Sequence, residues 1–196
     1  MSENSSDQPT VLVVDDNEGI ADLYSSQLSA GHTVRTAYGG PEAIEAVDEA
    51  VDVILLDRRM PELSGDEVLD QIRAEGYDCR VIMVTAVDPD FDIIDMPFDD
   101  YLCKPVDKAT LVDAIDHQLT AKQYSETLSE LYQAKSKLAV LEAEKPSEEL
   151  EESSEYQQLE QQAAASQIQA EQLISELDDF EAAFKSIDRH SNKNSP

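Results

Sequence analysis

Four short apolar runs, each closing on polar or charged residues, constrain this chain more than any other feature. VLVVDD (11–16) closes on two aspartates, and VDVILLDRRMP (51–61) carries Asp57 just past its apolar run. VIMVTA (81–86) ends on Thr85, and DDYLCKP (99–105) reaches Lys104. A parallel strand covered on both faces reads as a continuous, β-branched apolar run rather than an alternating one. In open α/β sheets the crevice beyond the carboxyl ends of the strands is where ligands bind. The runs therefore predict one sheet edge that gathers Asp15, Asp16, Asp57, Thr85 and Lys104.

Strand and helix alternate through the first part of the chain. Strands are expected near 10–15, 33–37, 52–57, 80–85 and 100–103, and helices near 18–30, 41–50, 65–75 and from 107 onward. Five strands alternating with helices imply an α/β fold, a parallel sheet with helices on both faces. Pro41 suits the first turn of the second helix. Gly76 suits the residue that closes the third. About 120 residues are enough for such a core to fold alone.

The second part differs. From Thr120 to Pro196 there is no glycine and no β-like run, and Glu, Gln, Ala, Lys and Leu dominate, as in long helices. Before Pro146 an apolar stripe runs through Tyr124, Leu128, Leu131, Leu138 and Leu141, broken by Lys135. After it, Tyr156, Leu159, Ala163, Ser166, Ala170, Leu173, Leu177, Phe180, Phe184 and Ile187 step by three and four, a heptad seam. Ser154 with Gln157 predicts a capping box at its start. Lys145-Pro146-Ser147 predicts a kink or turn between two helices. This gives a disordered N-terminus (1–9), a first domain (10–120), a helical or coiled-coil domain with a break near Pro146 (121–188) and a disordered tail (189–196). The helical part is expected to pair with a second copy through 156–187; a fold-back hairpin within one chain is the alternative.

Charge narrows the partners. With 14 Lys and Arg against 43 Asp and Glu, the net charge is −29. That argues against direct contact with nucleic acid, whose phosphates select basic faces. The second part is itself acidic, with 7 basic against 16 acidic residues after residue 120. The excess suits a halophile, where the Debye length is ~3 Å near 1 M salt and self-repulsion is screened. Met1 to Thr10 is polar, and no run reaches the length of a membrane span, so a cytoplasmic location is expected. Cys79 and Cys103 lack metal-like spacing and are expected to pack as small apolar groups.

Asp15, Asp16 and Asp57 repel one another unless a cation sits among them, and Mg²⁺ suits a few carboxylates with retained waters. One carboxylate can then attack phosphorus, as in aspartyl-phosphate intermediates. Lys104 offers a compact positive charge for the phosphoryl oxygens and Thr85 a hydroxyl.

These residues, with D-x-x-M-P at 57–61, Gly65, Thr85-Ala86 and Tyr101-x-x-Lys104-Pro105, resemble the receiver domain of two-component response regulators. The resemblance implies a flavodoxin-like, doubly wound five-stranded sheet. It implies Asp57 as phosphoacceptor and Asp16 as direct metal ligand, with Asp15 binding through water and the backbone carbonyl of Arg59 completing the shell. Thr85 and Lys104 would hold the phosphoryl group, and Tyr101 would change rotamer with Thr85. A sensor histidine kinase is the implied donor. The segment after residue 120, with DPDFDIIDMPFDDYL before it, is similar to the haloarchaeal HalX family.

One stretch departs from that pattern. Between Thr85 and Tyr101 the segment is short and holds Pro89 and Pro97, so the helix usual there is expected to shrink to a single turn or less. Phe91, Ile93, Ile94, Met96 and Phe98 are expected to form the core of that loop, with a contact patch as the alternative. The function expected is a phosphorylation-dependent signalling switch that acts on an unidentified downstream protein through altered contacts of its helical C-terminal segment; no enzyme activity is expected beyond Mg²⁺-dependent phosphorylation and dephosphorylation at Asp57. The alternative is a phosphate-independent scaffold built on the heptads. An aspartate-dependent phosphatase is disfavoured because Arg59 stands where a second catalytic aspartate would be needed.

Overall fold

The computed structural model describes residues 8–87 and 89–186, with side chains omitted at 92 and 179–186. Most of the expected disordered N-terminus, all of the expected tail and Ile187 lie outside the described residues, as do the side chains of Phe180 and Phe184. The described residues form two compact units that divide between Leu119 and Thr120.

The first unit is a five-stranded parallel sheet: β1 (Thr10–Val14), β2 (Thr33–Ala37), β3 (Val53–Leu56), β4 (Arg80–Thr85) and β5 (Asp100–Cys103). The order β2-β1-β3-β4-β5 is the flavodoxin-like one, and the fold class read from the sequence holds. All four residues of β3 are buried, as are Val11 to Val14 of β1. The apolar runs are continuous because helices cover both faces.

Local chemistry sets the helix ends. α1 (Glu18–Leu28) starts where the Asn17 side chain accepts from Ile20 N at 3.3 Å. α3 (Gly65–Glu75) begins on a reciprocal capping box between Ser64 and Glu67, and Gly76 closes it at φ 82°. α2 (Gly40–Ala46) is shorter than expected. Asp48 accepts from Ala50 N at 2.9 Å and pairs with Arg35 at 2.9 Å, so the side chain turns the chain out of the helix.

The stretch after β4 holds a single 3-10 turn, Phe91–Ile93, as the prolines predict. The expectation of a packed loop core fails in part. Phe91 is 85% and Ile94 73% exposed, whereas Met96 and Phe98 pack on the main core beside Tyr101. Successive residues of so short a turn point about 120° apart, so they cannot all face inward. Asp99 pins the far end of the stretch. It accepts from Val81 N at 2.7 Å, Arg73 at 2.7 Å and Arg80 at 2.8 Å, while Arg73 also donates to Pro97 O at 3.0 Å.

The second unit takes up the later part of α4 (Lys108–Glu144), a short α5 (Ser147–Glu152) and α6 (Ser154–Ser186). Pro146 caps α5. Tyr156 Oη donates to Glu142 at 3.0 Å, and Lys135 Nζ donates to Gln167 at 2.9 Å, so α4 and α6 run antiparallel in one chain. This is the hairpin alternative. The α6 seam expected to join two copies through 156–187 is already covered, as far as Leu177, by α4 of the same chain. On α4 the inward row is Tyr124, Thr127, Leu131, Ala134, Leu138 and Leu141. Thr127 and Ala134 are buried, while Leu128 and Lys135, one residue later, are exposed. Two of these inward residues, Thr127 and Ala134, are small, and a search for large apolar side chains passes over them. The predicted Ser154 cap is also displaced: Ser153 Oγ accepts from Tyr156 N at 3.2 Å, and Gln157 donates to Glu151 O at 2.7 Å.

Candidate functional site

The strand order places the ends of β1, β3, β4 and β5 side by side, and the polar residues that close those runs follow. Backbone bonds fix their level: Asp57 N donates to Val14 O at 2.9 Å, and Lys104 N to Thr85 O at 2.8 Å. Carboxylate oxygens of Asp15, Asp16 and Asp57 lie within 4.8 Å of one another. Asp15 and Asp57 are buried and Asp16 faces solvent. Lys104 Nζ bridges two of them, at 2.6 Å from Asp15 Oδ2 and 3.1 Å from Asp57 Oδ2. Burial pulls the Lys104 ammonium down, but its hydrogen bonds to both carboxylates and their charges outweigh this, and the net shift is upward from 10.5.

Like charges packed this closely need compensation, and Lys104 supplies one positive charge against three negative. The donors on offer are all carboxylate oxygens, a set that fits a hard divalent ion such as Mg²⁺. Asn17 N donates to Asp15 Oδ1 at 2.9 Å, which fixes the orientation of that carboxylate.

The loop after Asp57 folds back tightly. Gly65 N donates to Arg58 O at 2.9 Å, and a Cβ at Gly65 would sit 2.1 Å from Asp57 O. Only glycine fits there. The Arg59 side chain is exposed; Arg58 is tied to Asp66 at 3.0 Å.

Thr85 and Tyr101 meet at Val87. Thr85 Oγ1 accepts from Val87 N at 3.3 Å, and Tyr101 Oη donates to Val87 O at 2.7 Å. Both backbone groups of one residue are thus held by the two side chains expected to act together. Sequence reasoning missed Tyr24, which is buried in α1. Burial is the main cause that pushes its phenol above 10.0, and the charges of Lys104, Asp15 and Asp57 also reach it. The spacing of Asn17, Ile20, Ala21, Tyr24 and Leu28 on one helix face was its available signal.

Residues 11–116 match the response regulator receiver domain. The chain belongs to that family. Residues 120–184 match the HalX domain, and so this response regulator joins a receiver to a HalX segment. A Haloferax volcanii protein described as "Putative transcriptional regulator" is 45% identical over 137 residues, 69% of this chain and 24% of that protein. The alkaline phosphatase synthesis transcriptional regulatory protein PhoP of Bacillus subtilis is 39% identical over 100 residues, 48% of this chain and 42% of that protein. The chain thus spans less than half the length of either relative. Among solved structures, the BeF3-activated receiver domain of DrrB shares 26% identity at a TM-score of 0.53, covering 57% of this chain and 97% of that one. A Francisella receiver domain shares 30% identity at a TM-score of 0.52, covering 57% and 96%. Among the described residues, no helix is long and apolar enough to cross a membrane.

Proposed function

We propose that this response regulator accepts a phosphoryl group on Asp57 from a histidine kinase and passes the signal on through changed protein contacts. The observation that carries this reading is Lys104 lodged between Asp15 and Asp57 on a three-carboxylate edge. Asp16 and Asp57 would hold Mg²⁺ directly, Asp15 through water, and the Arg59 carbonyl would complete the set. The ion, when bound, offsets charge on the transferring oxygens. An oxygen of Asp57 forms the new bond to phosphorus as the bond to the donor's imidazole nitrogen breaks. Lys104 is then freed from Asp57 to pair with the phosphoryl group, and the Thr85 hydroxyl donates to another of its oxygens. That donation moves the Thr85 hydroxyl away from Val87, whose carbonyl Tyr101 holds. The 86–98 stretch is therefore the element biased by phosphorylation.

Output follows from charge. The relatives are named as transcriptional regulators, but this acidic chain is suited to contacts with proteins rather than with DNA. The encounter with the kinase is placed in the cytoplasm. Incubation with a small phosphoramidate donor and Mg²⁺ should add one phosphoryl group by intact mass. Asp57→Asn or chelation of the metal should abolish the addition. A wild-type chain that stays unmodified under those conditions would leave the phosphate-independent scaffold as the better reading.

A further inference from the structure

Two parts of the first unit with different roles are tied to one residue, Asp99. Arg73 donates to Pro97 O at 3.0 Å, to Asp99 Oδ2 at 2.7 Å and to Cys79 O at 2.7 Å, so α3 grips the far end of the 86–98 stretch. Arg80 and Val81 N hold the same carboxylate at 2.8 Å and 2.7 Å, and Asp99 N donates to Val81 O at 2.8 Å. The Asp99 carbonyl accepts from Gln118 Nε2 of α4 at 3.3 Å. Leu111, Ala114 and Ile115 are fully buried on α4, and at steps of three and four they form its inward row. Gln118 continues that row, is 6% exposed and is the polar member of the four. A buried amide is unfavourable where a leucine would pack, unless its hydrogen bond is made.

We infer that Gln118 is a positioning residue that couples α4 to the 86–98 stretch, with Asp99 as the junction. Packing alone tolerates neighbouring registers of a helix, and one buried polar bond selects among them. At 3.3 Å the Gln118 bond is near the limit of a hydrogen bond, so a small displacement of Asp99 breaks it. The helix pinned in this way runs unbroken past Leu119 to Glu144, into the second unit. The stretch reaches the junction from both ends. Its far end does so through Pro97 and Arg73. Its near end does so through Val87, whose carbonyl accepts from Tyr101 Oη at 2.7 Å, and Tyr101 follows Asp99 by two residues. The trigger rests on the function proposed above: phosphorylation of Asp57 releases the Thr85 hold on Val87, and the stretch re-packs against the junction. The wiring does not rest on it, because every contact named is present in the unmodified chain.

The test is hydrogen exchange of the full chain, read by peptide mass, with and without a small phosphoramidate donor and Mg²⁺. Phosphorylation should change exchange in 86–98 and, by about fivefold, in 112–122 of α4. Gln118→Leu should keep the modification of Asp57, the change in 86–98 and the melting temperature, and lose the change in 112–122. A second arm needs no phosphoryl group. Arg73→Met releases Pro97 and Asp99 and leaves the Gln118 side chain in place. It should speed exchange in 112–122 by about fivefold, but not in the Gln118→Leu background. Arg80→Met, which frees one Asp99 oxygen, serves if that variant does not fold. A chain that takes no phosphoryl group yet answers in the second arm sinks the proposed function and leaves the coupling standing. A response in 112–122 that survives Gln118→Leu overturns the inference, as does the lack of any response there in both arms.

Discussion

Val87 is held at both backbone groups, and neither hold is visible in its own side chain. Its N–H goes to Thr85 and its carbonyl to Tyr101. Tyr101→Phe removes only the second. The expected cost is about 1 kcal/mol, with faster hydrogen exchange confined to the stretch after β4. Unchanged exchange there would separate the tyrosine hydroxyl from the loop. Gly65 is constrained more severely, since a methyl group would lie 2.1 Å from the Asp57 carbonyl. Gly65→Ala should cost about 1–3 kcal/mol in chemical denaturation and slow modification of Asp57 by displacing the loop behind it. The residues that gather at the sheet edge were legible because each closes an apolar run. Tyr24 was not, because it sits on a helix face, and neither was the hold on Val87, which acts through its backbone.

Helix ends and strand ends were readable where a single residue type decides them, as at Gly76 and at the Ser64–Glu67 pair. The Ser64 hydroxyl and backbone N–H hold Glu67 below its usual 4.5. A depressed carboxyl stabilises the fold above its unfolded value and loses that contribution as acid drives it through the folded one. Glu67→Gln should therefore lower the melting temperature at neutral pH, and the difference should vanish well below pH 4.5. A gap that persists in acid would mean the charge is not involved. The helical hairpin was only half readable. Spacing found the α6 seam, but the α4 seam runs through Thr127 and Ala134, and partner choice depends on the turn at Pro146, which spacing cannot express. Ala163→Leu should overpack that seam at a cost of about 1–3 kcal/mol, read as earlier loss of helical signal on heating.

Over the whole molecule the net charge of −29 acts on every packed surface at once. The melting temperature should fall steadily as potassium chloride is withdrawn, because self-repulsion loses its screening. A flat dependence would show that the acidic groups are compensated locally. The single turn at Phe91–Ile93 has a consequence for traffic between signalling pathways. A protein that identifies its target by gripping a helical ridge at this position meets a bend bearing Phe91 and Ile94 among aspartates instead. Mismatched shape and charge reject an unsuited visitor as effectively as good contacts retain the intended one. On the proposed function, the single turn thereby keeps out messengers that require a helix at this position.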